Sequence, residues 1–172
     1  IILIFLICGN AIAQDNKNSS SQSKNINFTS DAIEVDEKTN IMTASGNVVI
    51  TSENRKIRAN KVKYDQNLDK AIAIGNVILT EKDGSIYESD KVILTNEFKS
   101  IVANPFYGKL IDKSYITATK LEKNDLGESF FYEGVYSACE CNVKDGETPI
   151  WRIESNKIEH DPVARTVYIK HP

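Results

Sequence analysis

One hexapeptide is written twice in this chain, and its spacing governs what the chain can fold into. Gly46-Asn47-Val48-Val49-Ile50-Thr51 returns 29 residues later as Gly75-Asn76-Val77-Ile78-Leu79-Thr80. The segment around it repeats as well. Ser30-Asp31-Ala32-Ile33-Glu34-Val35-Asp36 aligns with Ala59-Asn60-Lys61-Val62-Lys63-Tyr64-Asp65, and then with Ser89-Asp90-Lys91-Val92-Ile93-Leu94-Thr95. Apolar anchors stand at Ile33, Val62 and Val92, and degraded copies put Leu121 and Ile158 in the same role. A fixed period of this length means that one supersecondary unit is stacked on the next, because no single unit buries its apolar face alone.

Alternation makes the unit a pair of strands. Ala73, Gly75, Val77 and Leu79 share one face of the second copy, and Ala44, Gly46, Val48 and Ile50 the same face of the first. Period-two patterning marks a half-buried strand, and the glycine before each valine leaves room or marks a bend. Clusters such as Asp36-Glu37-Lys38-Thr39-Asn40 and Lys82-Asp83-Gly84-Ser85 supply the turns. The expected architecture is all-β: a stacked antiparallel β-jellyroll of about five repeat units. Its inner face is assigned to Ile33, Val35, Val48, Ile50, Val62, Tyr64, Val77 and Leu79. If that face lines an open trough it suits acyl chains; the alternative is an ordinary filled core in a structural β-solenoid scaffold. Either way the terminal edges invite strand addition.

The apolar run Ile1 to Cys8, followed by Ala11-Ile12-Ala13, reads as a secretory signal peptide over residues 1–13 that lacks its basic start. Residues 14–25 are polar and serve as a flexible linker, which leaves residues 26–172 as the folded domain. The expected location is therefore outside the cytoplasm, and the chain is read as a piece of a longer protein. A net charge of −3 gives no electrostatic case for nucleic acid.

Chemistry-bearing residues are few. Cys139 and Cys141 remain after signal removal, and an oxidising compartment favours their use in disulfides. A bridge between residues separated by one is strained, so each is expected to pair elsewhere. Zinc held by Cys139, Cys141, His160 and His171 is the weaker alternative, since Cys-x-Cys spacing is uncommon in structural sites. His160 is placed at a strand end, where other units carry Asp36 and Asp65, with Asp161 starting a turn. No nucleophile elbow, zinc-protease helix motif or phosphate-cradling loop occurs, so no catalytic residue, metal or cofactor is expected.

The unit Ile57-Arg58-Ala59-Asn60-Lys61-Val62-Lys63-Tyr64-Asp65, with its Gly-Asn-Val partner, resembles the OstA-like periplasmic domains of lipopolysaccharide transport. The later series Tyr136-Ser137-Ala138-Cys139, Trp151-Arg152-Ile153 and Ile158-Glu159-His160-Asp161 resembles the outer-membrane lipopolysaccharide-assembly (LptD) branch of that family. The resemblance implies a β-taco jellyroll at the periplasmic face of a Gram-negative outer membrane. It implies lipopolysaccharide as ligand and a periplasmic bridge protein as partner by edge-strand addition. An outer-membrane lipoprotein plug would be met through a barrel that this sequence does not contain. It also implies a disulfide from Cys139 to the barrel, although the cysteine that many members carry near the mature N-terminus has no counterpart between Gln14 and Asn25. A soluble bridge protein of the same family is the competing expectation.

Overall fold

A crease, repeated from strand to strand, shapes the molecule. The computed structural model describes residues 27–52, 55–138 and 149–171, whose regular structure is entirely β-strand. In chain order the strands are β1 (Asn27–Thr29), β2 (Ala32–Asp36), β3 (Ile41–Ser52), β4 (Arg55–Asp65), β5 (Lys70–Glu81), β6 (Ile86–Thr95) and β7 (Ser100–Asn104). They continue as β8 (Phe106–Lys109), β9 (Tyr115–Ala118), β10 (Lys120–Lys123), β11 (Ser129–Ser137), β12 (Ile153–Asp161) and β13 (Thr166–Lys170). All thirteen belong to one antiparallel sheet with the order β1-β3-β4-β5-β6-β7-β10-β11-β12-β13; β2 also pairs β3, and the β8–β9 hairpin joins β6 to β11.

The two halves of the sequence repeat meet at the crease. Pairing registers shift between Ser45 and Val48, between Arg58 and Lys61, and between Ile74 and Val77. At those points Gly46 and Asn47 have φ of 73° and 44°, and Gly75 and Asn76 have 79° and 47°. Successive left-handed residues of this kind kink a strand, and glycine takes the first position without a Cβ penalty. Space demands glycine too: a Cβ on Gly46 would lie 2.3 Å from Asp31 Oδ2, and one on Gly75 2.8 Å from Asn60 Nδ2. Asn47 Nδ2 donates to Asp31 Oδ2 at 2.9 Å, and the Asp31 amide donates to the Gly46 carbonyl at 2.9 Å. The Ser-Asp/Ala-Asn and Gly-Asn dipeptides are thus neighbours across one bend. Farther on, the crease passes Ser89-Asp90, the cis Asn104-Pro105 bond, Thr119, Glu133 (φ 48°) and Ser155-Asn156.

Folded along the crease, each bent strand gives one arm to each of two facing walls. Arms on one side end in turns at residues 37–40, 66–69, 96–99, 124–128 and 162–165, which make the first rim. Arms on the other side end at residues 82–85 and 110–114, which belong to the second rim. Three of the first-rim turns are set by an aspartate that closes the strand before them. Asp36 Oδ1 accepts the amides of Lys38 and Thr39, and Asp65 Oδ1 those of Asn67 and Leu68. Asp161 Oδ1 accepts Val163 and Ala164 in the same way, each at 2.9 Å. The strand-end position expected of His160 therefore belongs to Asp161, whose short carboxylate accepts the amides two and three residues on.

The core runs between the walls. Buried alanines at 44, 59 and 73 beside the crease, and at 71 farther out next to Tyr64 and Leu94, let the two walls meet. Val62 stands in register with Ala44 and Ala73 and Val48 with Ala59, and Val77 and Leu94 complete the layer. Burying such a side chain contributes roughly 1.5–3 kcal/mol, so this layer dominates the cohesion of the N-terminal half.

Candidate functional site

Among the described residues of the N-terminal half, the side chains from β3 to β5 pack between the walls, and in the C-terminal half the walls separate. There a cavity of about 770 Å³ opens between the rims. The second wall supplies Tyr87, Phe106, Ile116, Tyr136 and Ile153; the first wall supplies Leu121, Phe131, Ile158, Val167 and Ile169. Large rings hold the walls apart where alanines bring them together farther back. Tyr87 and Phe106 are tilted at 5.3 Å between centroids, and Phe106 reaches Phe131 of the opposite wall at 5.5 Å. Two glycines make room for this arrangement. A Cβ on Gly108 would press the Phe106 ring at 2.9 Å, and one on Gly134 would meet Ile158 Cδ1 at 2.8 Å.

Polar groups gather at the mouth. Asp83 and Asp112 stand on the second rim, each tied into its own turn by accepting the amide of Ser85 or Ser114. Lys123 and His160 stand on the first rim. Burial, with the negative charges of Glu81 and Asp83 nearby, pushes the Tyr87 hydroxyl above its ordinary range, so it remains a neutral donor at the cavity wall. The Asp112 carboxyl is held below the usual range by the Ser114 hydroxyl and amide. An apolar hollow with a sparse polar lip has the shape and chemistry that suit an amphiphile, hydrocarbon inside and charged head in water. Among the described residues no group of three or more His, Cys, Asp or Glu is arranged to hold a metal ion.

The eight inner-face residues named from sequence do not line this cavity. Val48, Ile50, Val62, Val77 and Leu79 are at most 4% exposed and pack as core. Tyr64 is half-buried at the first rim, donating its hydroxyl to Asp69 Oδ1 at 3.0 Å and meeting Phe98 edge-on. Ile33 and Val35 pair with Ala44 and Met42 and so share their face, yet they are 54% and 56% exposed because no further strand covers them. Cys139 and Cys141 lie outside the described residues, as do the proposed signal segment and linker.

Sequence reasoning missed the cavity walls because β8 to β13 carry the repeat in degraded form. One signal was available: aromatic residues concentrate between Tyr87 and Tyr136, where the regular units carry alanine and valine. His160, aligned correctly, falls at the position of Tyr64 and faces inward from the cavity lip.

The family model described as LptA/(LptD N-terminal domain) LPS transport protein matches residues 27–128, more than half of the chain. No curated protein matches. Among solved structures, the chain is similar to LptH, the LptA-homologous periplasmic component of the conserved lipopolysaccharide transport device from Pseudomonas aeruginosa. The two share 15% identity over 89% of this chain and 87% of that one, with a TM-score of 0.47.

Proposed function

This chain belongs to the family of LptA and LptD N-terminal domains, the LPS transport proteins, and from that premise we propose that it carries lipopolysaccharide by sheltering acyl chains in the cavity between its rims. The observation that carries this reading is the apolar, two-walled hollow of about 770 Å³ in a protein of a lipid-transport family. Transfer from water stabilises each buried methylene by about 0.8 kcal/mol, so even a few carbons inside give useful affinity. No step of such transport makes or breaks a covalent bond, and none of the residues at the lip is asked to do so.

The finer proposal is that the domain works at the periplasmic face of the outer membrane. It takes lipopolysaccharide from a bridge protein and guides the chains toward an assembly barrel with its lipoprotein plug. The Cys139, Trp151 and His160-Asp161 series supports that placement, with Cys139 or Cys141 bridged to the barrel. A soluble bridge protein is the second reading, and the apolar residues exposed on the outermost described strands suit it. β2 exposes Ile33 and Val35, and β13 exposes Val167 and Ile169, so each end presents an apolar half-strand to a neighbouring domain. Cell fractionation separates the two readings, since an assembly protein sediments with the outer membrane and a bridge does not.

Binding itself is tested at β13, where substitution leaves the core intact. Ile169 is 41% exposed and faces the cavity, whereas its neighbour Tyr168 is on the opposite face. Ile169→Glu should weaken binding of fluorescent lipopolysaccharide about tenfold, the effect of losing one or two buried methylenes and adding a charge. Tyr168→Glu should leave it unchanged. Equal effects from both, or none from either, would remove the cavity from the account.

A further inference from the structure

The boundary between the closed and open halves is marked by a cluster of charges that spans the slit. Arg55 begins β4 and Glu81 ends β5, so both belong to the second rim; they form a two-point ion pair at 2.9 and 3.2 Å. Arg55 Nη1 also donates to the Phe98 carbonyl at 2.8 Å, and Phe98 sits in the first-rim turn between β6 and β7. Lys123 at the end of β10, again on the first rim, places Nζ 3.8 Å from Glu81 Oε1. The side chains of Arg55 and Glu81 are only 18% and 16% exposed, so their attraction is less screened than that of a surface pair. The cluster therefore ties rim to rim by directional bonds, and Lys123 and Asp83 beside it already line the cavity.

We propose that Arg55, Glu81 and Lys123, with the Phe98 carbonyl, form a latch that sets how far an acyl chain can penetrate, stopping it at the N-terminal end of the cavity. The proposal rests on the acyl-binding reading above and adds a length limit to it. With the latch engaged the rims are pinned, and the alanine-lined walls behind it have no room for a chain. With the latch released the rims part, and a chain can run on past Tyr87 over Leu79 and Ile57 of the second wall. The Tyr87 hydroxyl is held above its ordinary range first by burial and then by Glu81, which agrees with the latch carboxylate lying against the cavity wall.

Saturated alkyl carboxylates of increasing length test this. In the unaltered protein, affinity should rise roughly fourfold for each added methylene, the equivalent of about 0.8 kcal/mol, and then stop rising once the cavity is filled. In Arg55→Met and Glu81→Gln the rise should continue for several further methylenes. The charge swap Arg55→Glu with Glu81→Arg keeps an ion pair within the second rim but removes the donor to the Phe98 carbonyl and sets a like charge against Lys123, so the longer limit should persist in it. Lys123→Met, at the most exposed of the three positions, should shift the limit in the same direction by less, and it serves if the other single variants fail to fold. A common limit in all variants, or no limit in the unaltered protein, overturns the latch while leaving acyl binding in place. Absence of any dependence on chain length overturns the acyl-binding reading itself.

Discussion

Gly75 and Gly84 both hold positive φ, yet only one of them is crowded. A Cβ at Gly75 would lie 2.8 Å from Asn60 Nδ2, while one at Gly84 meets nothing within 4 Å. Gly84→Ala should thus cost only backbone strain, about 1 kcal/mol, and Gly75→Ala should cost about 1–3 kcal/mol as Asn60 and the crease shift as well. Urea midpoints measure both, and equal midpoints would contradict the crease as a packed joint. Ser155 makes a comparable joint farther on. Its hydroxyl is buried, contacts the Lys170 carbonyl at 2.6 Å and is placed to accept the Lys157 amide at 3.2 Å. Ser155→Ala should destabilise by about 1–3 kcal/mol, read in the same assay. At this scale much was legible beforehand: Gly-Asn was readable as a bend, because few residues tolerate successive left-handed conformations. Its pairing with Asp31 and Asn60 was not, since that contact depends on strand register rather than on either dipeptide alone.

Among elements, β10 to β13 carry a ladder of charges and rings on the outer face. Lys120 pairs with Glu122 at 2.8 Å, and the Tyr132 hydroxyl donates to Glu122 at 2.8 Å. Lys157 and Lys170 both reach Glu159 Oε1, at 2.8 and 2.7 Å, while Lys157 also lies over the Phe130 ring. These bonds hold the Glu159 carboxyl below the usual range, chiefly through Lys157 and then Lys170, and hold Glu122 low through Lys120 and Tyr132. A depressed carboxyl stabilises the fold at neutral pH, and that stability is lost as the pH falls through its folded value. Glu159→Gln should therefore lower the unfolding midpoint at neutral pH and match the unaltered protein in acid, below the range where glutamate ionises. A deficit that persisted in acid would mean that the carboxylate's charge is not what matters. The strands themselves were legible from period-two alternation as far as β6. Beyond it the crease falls at Asn104-Pro105 and Thr119 instead of Gly-Asn, so the repeat signal fades where the chain divides into the short strands β7 to β10. The one-residue misplacement of His160 has the same origin, because only the turn bonds of Asp161 fix the register of that last unit.

Over the whole molecule, the N-terminal half is cohesion and the C-terminal half is capacity. Sequence alternation identifies which residues face inward but is blind to the distance between the facing walls. That distance is decided by the alanines at 44, 59, 71 and 73 against the rings of Tyr87, Phe106 and Phe131, which meet only in three dimensions. Hence Val48 and Val77, inward-facing as expected, are packed core, and the space for a ligand lies some way along the stack. The difference can be read with a photoreactive phenylalanine analogue placed singly at Phe131 or Tyr136 in the cavity, and at Tyr64 in the closed half. Irradiation in the presence of lipopolysaccharide should give strong adducts from positions 131 and 136 and little from 64. Adducts strongest at 64, or absent at both cavity positions in a folded protein, would contradict the claim that this cavity carries the lipid.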